Sequence, residues 1–249
     1  MNNNFTVDNS TIASNPGNAK LDKWVWFRHH KIAVGSLFLL LVCSILATVV
    51  IDTVYLFVIV VAVVINLYYW TNKKEHFSSG DSNGGIVVGT HPTLVAVNTN
   101  LTKGVGYFPV VKIIRCKSLK NLDIGNRIPT VALYTASSDE FLSHWINFNP
   151  IPLSYATDDP KIIELAMQSY PNEQWEQLES YLLELEKPYK VGLYQVEKEH
   201  SGWNELSNDS LSVLNSLELE EGHEGINLTK IVVSVVVFIA ILEALEFLV

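Results

Sequence analysis

The run from Ile32 to Trp70 constrains this chain more than any other stretch, because Asp52 is its only charged residue. A bilayer core about 30 Å thick takes roughly 20 helical residues to cross, so a run of this length with one break suits two crossings. The expected structure is a transmembrane helical hairpin over 22–74 that turns at a solvated Asp52. A secretory signal fits poorly, since the first half of the run is longer than the roughly 7–15 residues of a signal core and a second apolar segment follows it at once. Asn66, within the second half, is the type of residue that hydrogen-bonds between packed membrane helices.

Lys20, Lys23, Arg28 and Lys31 precede the run and Lys73 and Lys74 follow it, whereas the turn carries only Asp52. Basic residues stay on the cytoplasmic side, so both ends of the hairpin are expected in the cytoplasm, at a bacterial plasma membrane. Trp24, Trp26, Arg28, Lys31, Tyr68, Tyr69, Trp70, Lys73 and Lys74 are then expected to anchor the hairpin at the headgroup level. Residues 1–21, rich in Asn and Ser, are expected to form a disordered tail.

Charge is distributed unevenly. Residues 1–136 hold 12 Lys+Arg against 6 Asp+Glu, and residues 137–249 hold 5 against 20, within a net charge of -9. An acidic chain of this kind lacks the coherent basic face that nucleic acid requires. Its two cysteines, Cys43 and Cys116, lie in the apolar run and in the polar region, which excludes a disulfide framework.

Residues 75–85 read as a polar linker, and 86–196 as a cytoplasmic α+β domain. Short β-branched runs at Ile86–Val88, Thr93–Val97, Val110–Cys116 and Arg127–Thr135, separated by Gly and Pro turns, predict a small antiparallel β-sheet or partial barrel. Pro129 suggests that the last of these is an edge strand. Lys112, Arg115, Lys117, Lys120 and Arg127 make this segment basic, either as an ordinary solvated face or as one turned toward anionic lipid. Phe141–Pro152 reads as an irregular loop packed by its aromatic residues.

Two amphipathic helices follow. Asp158-Asp159-Pro160 opens the first, and Trp175, Leu178, Leu182 and Leu185 mark the buried stripe of the second. Tyr189–Val196 returns to strand character and could close the sheet. Residues 197–225 form an acidic connector, and 226–249 an apolar C-terminal helix expected to be a third crossing. Glu243 and Glu246 would share one face of it as an intramembrane polar site.

Specific catalytic, metal and cofactor signatures are missing: there is no G-x-S-x-G, H-E-x-x-H, paired C-x-x-C, Walker or EF-hand spacing. Neither a cofactor nor a bound metal is expected. The expected role is non-catalytic, with the α+β domain displayed at the membrane surface as an interaction or scaffold module. The bilayer is its first partner, and a protein or a second copy of the chain its second. Two other readings stay open: a subunit of an oligomeric channel or transporter, and a thiol enzyme using Cys116 with His91 or His144 as base.

Overall fold

A computed structural model describes residues 15, 17–103, 107–119, 121–136 and 144–196. The connector 197–225, the C-terminal run 226–249 with Glu243 and Glu246, and residues Phe141 and Lys120 lie outside the described residues. The described chain divides into two units, residues 26–73 and residues 15–25 with 74–196.

In the first unit the apolar run forms two long helices. Helix α1 spans Lys23–His29, α2 spans Lys31–Val50, a single 3₁₀ turn covers Thr53–Tyr55, and α3 spans Leu56–Ser79. Exposed Asp52 caps the turn, its Oδ1 accepting from the Val54 amide at 2.7 Å, which is why the chain reverses there. Leu40 and Ala62 form the centre of the α2–α3 contact. Asn66 donates across it to the Leu37 carbonyl at 3.4 Å and within its own helix to Ala62 at 2.9 Å. Elsewhere the apolar side chains face outward: Phe38, Leu46, Val49, Phe57, Val64 and Leu67 are all exposed. Both helices are long and apolar enough to cross a membrane.

In the second unit, six strands form one antiparallel sheet: β1 Asp81–Thr90, β2 Thr93–Asn100, β3 Pro109–Arg115, β4 Arg127–Thr135, β5 Asn147–Pro152 and β6 Gly192–Gln195. Their spatial order is β5-β4-β1-β2-β3-β6. The sheet curls into a half-barrel, and Lys112 shows how tightly. From β3 its Nζ reaches the Asn147 Oδ1, Phe148 carbonyl and Asn149 Oδ1 of β5, at 3.0, 2.8 and 3.2 Å, although three strands separate the two in the sheet. Val87, Val97, Val110, Tyr134 and Phe148 fill the inside of the curl. The outer face presents Ile86, Ala96, Val111 and Ile113 to Trp175, Leu178 and Tyr181 of helix α5, Asn172–Glu184. Helix α4, Pro160–Gln168, starts where Asp159 accepts from the Lys161 amide and Pro160 takes the first helical position.

Several elements differ from the sequence reading. Residues 75–85 are not a linker: α3 runs through Ser79, and Asp81–Gly85 are the buried first half of β1, paired with Ala132–Ile128 of β4. Buried His76 and Phe77 hold the helix end, His76 Nε2 lying 2.8 Å from the Val131 carbonyl. Strand β4 is internal rather than an edge. Pro129 is tolerated because it faces Gly84 on β1 and sits just beyond the β5 ladder, which begins at Thr130. The edges are β5 and β6, and β5, formed within the segment read as a loop, carries Pro150 and Pro152 as an edge permits. The tail expected over 1–21 is ordered at its end: Gly17 and Ala19 donate backbone hydrogen bonds to Gly80 and Phe77 at 2.8 and 3.0 Å, and Asp22, just beyond it, donates to Ala156 at 2.8 Å.

Candidate functional site

The ladder between β1 and β2 runs from Thr90↔Thr93 to Gly85↔Val97 and stops there. Beyond it each strand keeps its other neighbour, β1 pairing with β4 as far as Asp81↔Ala132 and β2 with β3 as far as Asn100↔Pro109. The two strands therefore fork. A cleft of about 230 Å³ occupies the fork, with Asp81 and Asn83 from β1, Asn98 from β2, Tyr134 from β4 and Gln177 and Tyr181 from α5 on its walls.

One wall centres on Asp81, which is buried. Its Oδ2 accepts from the Tyr134 hydroxyl at 2.8 Å and its Oδ1 from the Asn15 amide at 3.0 Å. Tyr134 in turn lies 2.7 Å from the Thr99 hydroxyl. Burial, then the Asp81 charge, pushes the Tyr134 phenol well above its ordinary value, so it remains a protonated donor to the carboxylate. On the facing wall Gln177 Nε2 donates to the hydroxyls of Tyr181 at 2.8 Å and Tyr107 at 3.1 Å, which are 2.8 Å from each other. Asn98 is 4% exposed, with its Nδ2 3.5 Å from Gln177 Oε1. Its Oδ1 is shielded from solvent and has no hydrogen-bond partner among the described residues.

The expected membrane anchors divide into two groups. Trp24, Arg28, Lys31, Tyr68 and Lys74 are exposed. Trp26 and Tyr69 are buried instead and clasp the hairpin, the indole Nε1 donating to the Tyr69 hydroxyl at 2.7 Å. Lys73 Nζ stands 5.5 Å from the Trp26 ring centroid, the His30 ring stacks on the same indole at 3.8 Å, and Trp70 meets Tyr69 edge-on.

Cys116 is buried, and burial pushes its thiol up to about 12, with Tyr155 as its hydrogen-bond partner. The ring of His144 stacks on Phe108. Two of the five basic residues of the sheet segment are engaged within the fold: Lys112 turns inward, and Arg127 lies over Trp175 and pairs with Glu179 at 2.9 Å. Among the described residues no three His, Cys, Asp or Glu side chains gather in a way that could hold a metal ion.

Sequence reasoning missed the cleft. Asp81 and Asn83 belong to a segment that reads as linker, and the fork depends on pairings with β4 and β3 that no local signal announces.

Residues 70–186 match a family model described as Protein of unknown function (DUF3239). That span runs from the last turns of α3 to just beyond α5 and includes every strand but β6. No curated protein matches the chain. A crystal structure of a "putative membrane protein" from Corynebacterium diphtheriae is similar at 22% identity and a TM-score of 0.41, covering 47% of this chain and 100% of that one.

Proposed function

We infer that this chain is a membrane-anchored protein whose α2–α3 hairpin holds the half-barrel at the cytoplasmic surface of the bilayer as a non-catalytic interaction module. The outward-facing apolar side chains of α2 and α3 carry this reading, because in water such a mantle would be a large unsatisfied hydrophobic surface. Basic residues at both ends of the hairpin and the acid at its turn favour cytoplasmic termini. A buried thiol held near 12 stays protonated at neutral pH and is a poor nucleophile, which supports a non-catalytic role.

The test is topology mapping with single cysteines at positions 10, 52 and 140 of a cysteine-free chain in intact cells. A membrane-impermeant thiol reagent is expected to label position 52 alone, and the chain to stay in the membrane pellet after alkaline carbonate extraction. Labelling of position 140 from outside overturns the orientation. Release into the carbonate supernatant overturns the anchor itself.

A further inference from the structure

Asn66 leaves half of its amide unused. Its Nδ2 hydrogens go to the Ala62 carbonyl of its own helix at 2.9 Å and, at a long 3.4 Å, to the Leu37 carbonyl of α2. Its Oδ1 accepts nothing among the described residues. That oxygen is not sealed inside the hairpin, because Asn98 Oδ1 is the only shielded side-chain oxygen or nitrogen left without a partner among the described residues. It opens to the outside. At about 1.5 Å per residue, Asn66 lies roughly 10 Å along α3 from Lys73 and about 15 Å from Leu56, within a hydrocarbon layer about 30 Å thick. Water is missing at that depth, so a donor for the oxygen has to come from protein.

The surface around Asn66 has the spacing of a helix-packing seam. Ile59, Val63, Asn66 and Trp70 recur at intervals of four, three and four, and Val63 is 40% exposed. A single Asn in an otherwise apolar seam fixes register by pairing with its own copy. Two chains inserted in the same direction present parallel α3 helices, and a two-fold axis beside Asn66 lets each Nδ2 donate to the other chain's Oδ1. Each chain then exchanges its 3.4 Å contact for one donated and one accepted bond. Leu37 loses little, since its carbonyl also accepts within α2.

We propose that the hairpin is a homodimer interface, in which α3 packs on α3 of a second copy through a reciprocal Asn66 pair. This interface requires that the hairpin cross the bilayer, as inferred above.

The experiment places Val63→Cys or Val64→Cys in an otherwise cysteine-free full-length chain, oxidises native membranes with copper phenanthroline and extracts them with alkaline carbonate. Val63, on the Asn66 stripe, is expected to give a disulfide-linked dimer, and Val64, two residues from Asn66 and so on the opposite side of α3, to give none. Energy transfer between labelled full-length chains in liposomes then measures self-association. Asn66→Leu is expected to weaken it at least about fivefold, whereas Asn66→Gln, which keeps donor and acceptor, associates more tightly than Asn66→Leu. A carbonate-resistant chain that stays monomeric overturns the dimer alone, and so does a donor from elsewhere in the same chain, which would leave it monomeric. Equal cross-linking at positions 63 and 64, or undiminished association in Asn66→Leu, overturns it as well. Release by carbonate overturns the anchor and the dimer together.

Discussion

Lys112 is the residue whose environment departs furthest from ordinary practice, an ammonium 4% exposed inside an apolar curl. Desolvating such a charge costs several kcal/mol, and the three oxygens it meets on β5 offset this through charge-assisted hydrogen bonds. Lys112→Met keeps most of the packing volume but leaves the Phe148 carbonyl and Asn149 Oδ1 without that donor. Asn147 Oδ1 still accepts from the Phe148 amide. A loss of about 2–4 kcal/mol is expected, read as a lower denaturation midpoint of the full-length chain; an unchanged midpoint would show that Lys112 does not tie the two strands. A second prediction at this scale concerns alkali. Burial raises Cys116 from 9.0, and Tyr155 and Tyr170 from 10.0, each to about 12 in the folded chain. Between those values the unfolded chain releases protons that the folded one retains, so stability is intact below pH 9 and falls as pH rises toward 12. The denaturation midpoint should drop between neutral pH and this window, and tyrosinate absorbance from these two residues should appear only with unfolding. Titration of both near pH 10 in a chain of native circular dichroism would contradict their burial.

Between elements, β1 packs tightly against α5 at Gly84. A Cβ placed on Gly84 would stand 2.5 Å from Trp175 Cη2 and 2.7 Å from Cζ3. That indole cannot easily retreat, since Tyr170 packs against it edge-on at 5.5 Å and Arg127 lies over it at 4.9 Å. Gly84→Ala is expected to cost about 1–3 kcal/mol by overpacking and to shift the tryptophan emission; native stability in the variant would mean that α5 floats on the sheet. Much of this layer was legible in the sequence. The Trp175, Leu178 and Leu182 stripe gives the buried face of α5, Asp159-Pro160 gives the start of α4, and hydropathy gives α2 and α3. The first half of β1 was not legible, because Asp81-Ser82-Asn83-Gly84-Gly85 has almost no strand propensity and is a strand only because β4 pairs with it. The cleft was lost with it. Asn98 looks like any polar strand residue until β1 and β2 are seen to part beside it.

Taken whole, the chain encodes the half-barrel unit discontinuously, with the apolar hairpin inserted between residues 15–25 and the rest. Little in the composition of the N-terminal segment marks it as structural, because it packs by being small and by its backbone. Ala19 is buried, and a Cβ on Gly17 would come within 2.9 Å of both the Phe77 carbonyl and Val131. Asn15 acts as an extra strand residue, its carbonyl accepting from the Ser82 amide at 2.7 Å and its amide donating to Asp81 at the cleft. A fragment that begins after the hairpin therefore lacks part of its own fold, and residues 80–200 alone are expected to be less stable than the same domain in the intact chain. Deleting residues 1–22 from the full-length protein isolates the effect. Four backbone hydrogen bonds that these residues make, from Gly17, Ala19, Asp22 and Ser82, are removed, and at about 0.5–1.5 kcal/mol each the expected cost is roughly 2–6 kcal/mol. The Ser82 amide gives the specific readout, because Asn15 is its acceptor. Its hydrogen exchange should accelerate markedly in the deletion variant, while the Val95 and Ile113 amides in the centre of the sheet slow or quicken only with global stability. Equal protection of Ser82 in both proteins would show that residues 15–22 lie on the half-barrel without supporting it.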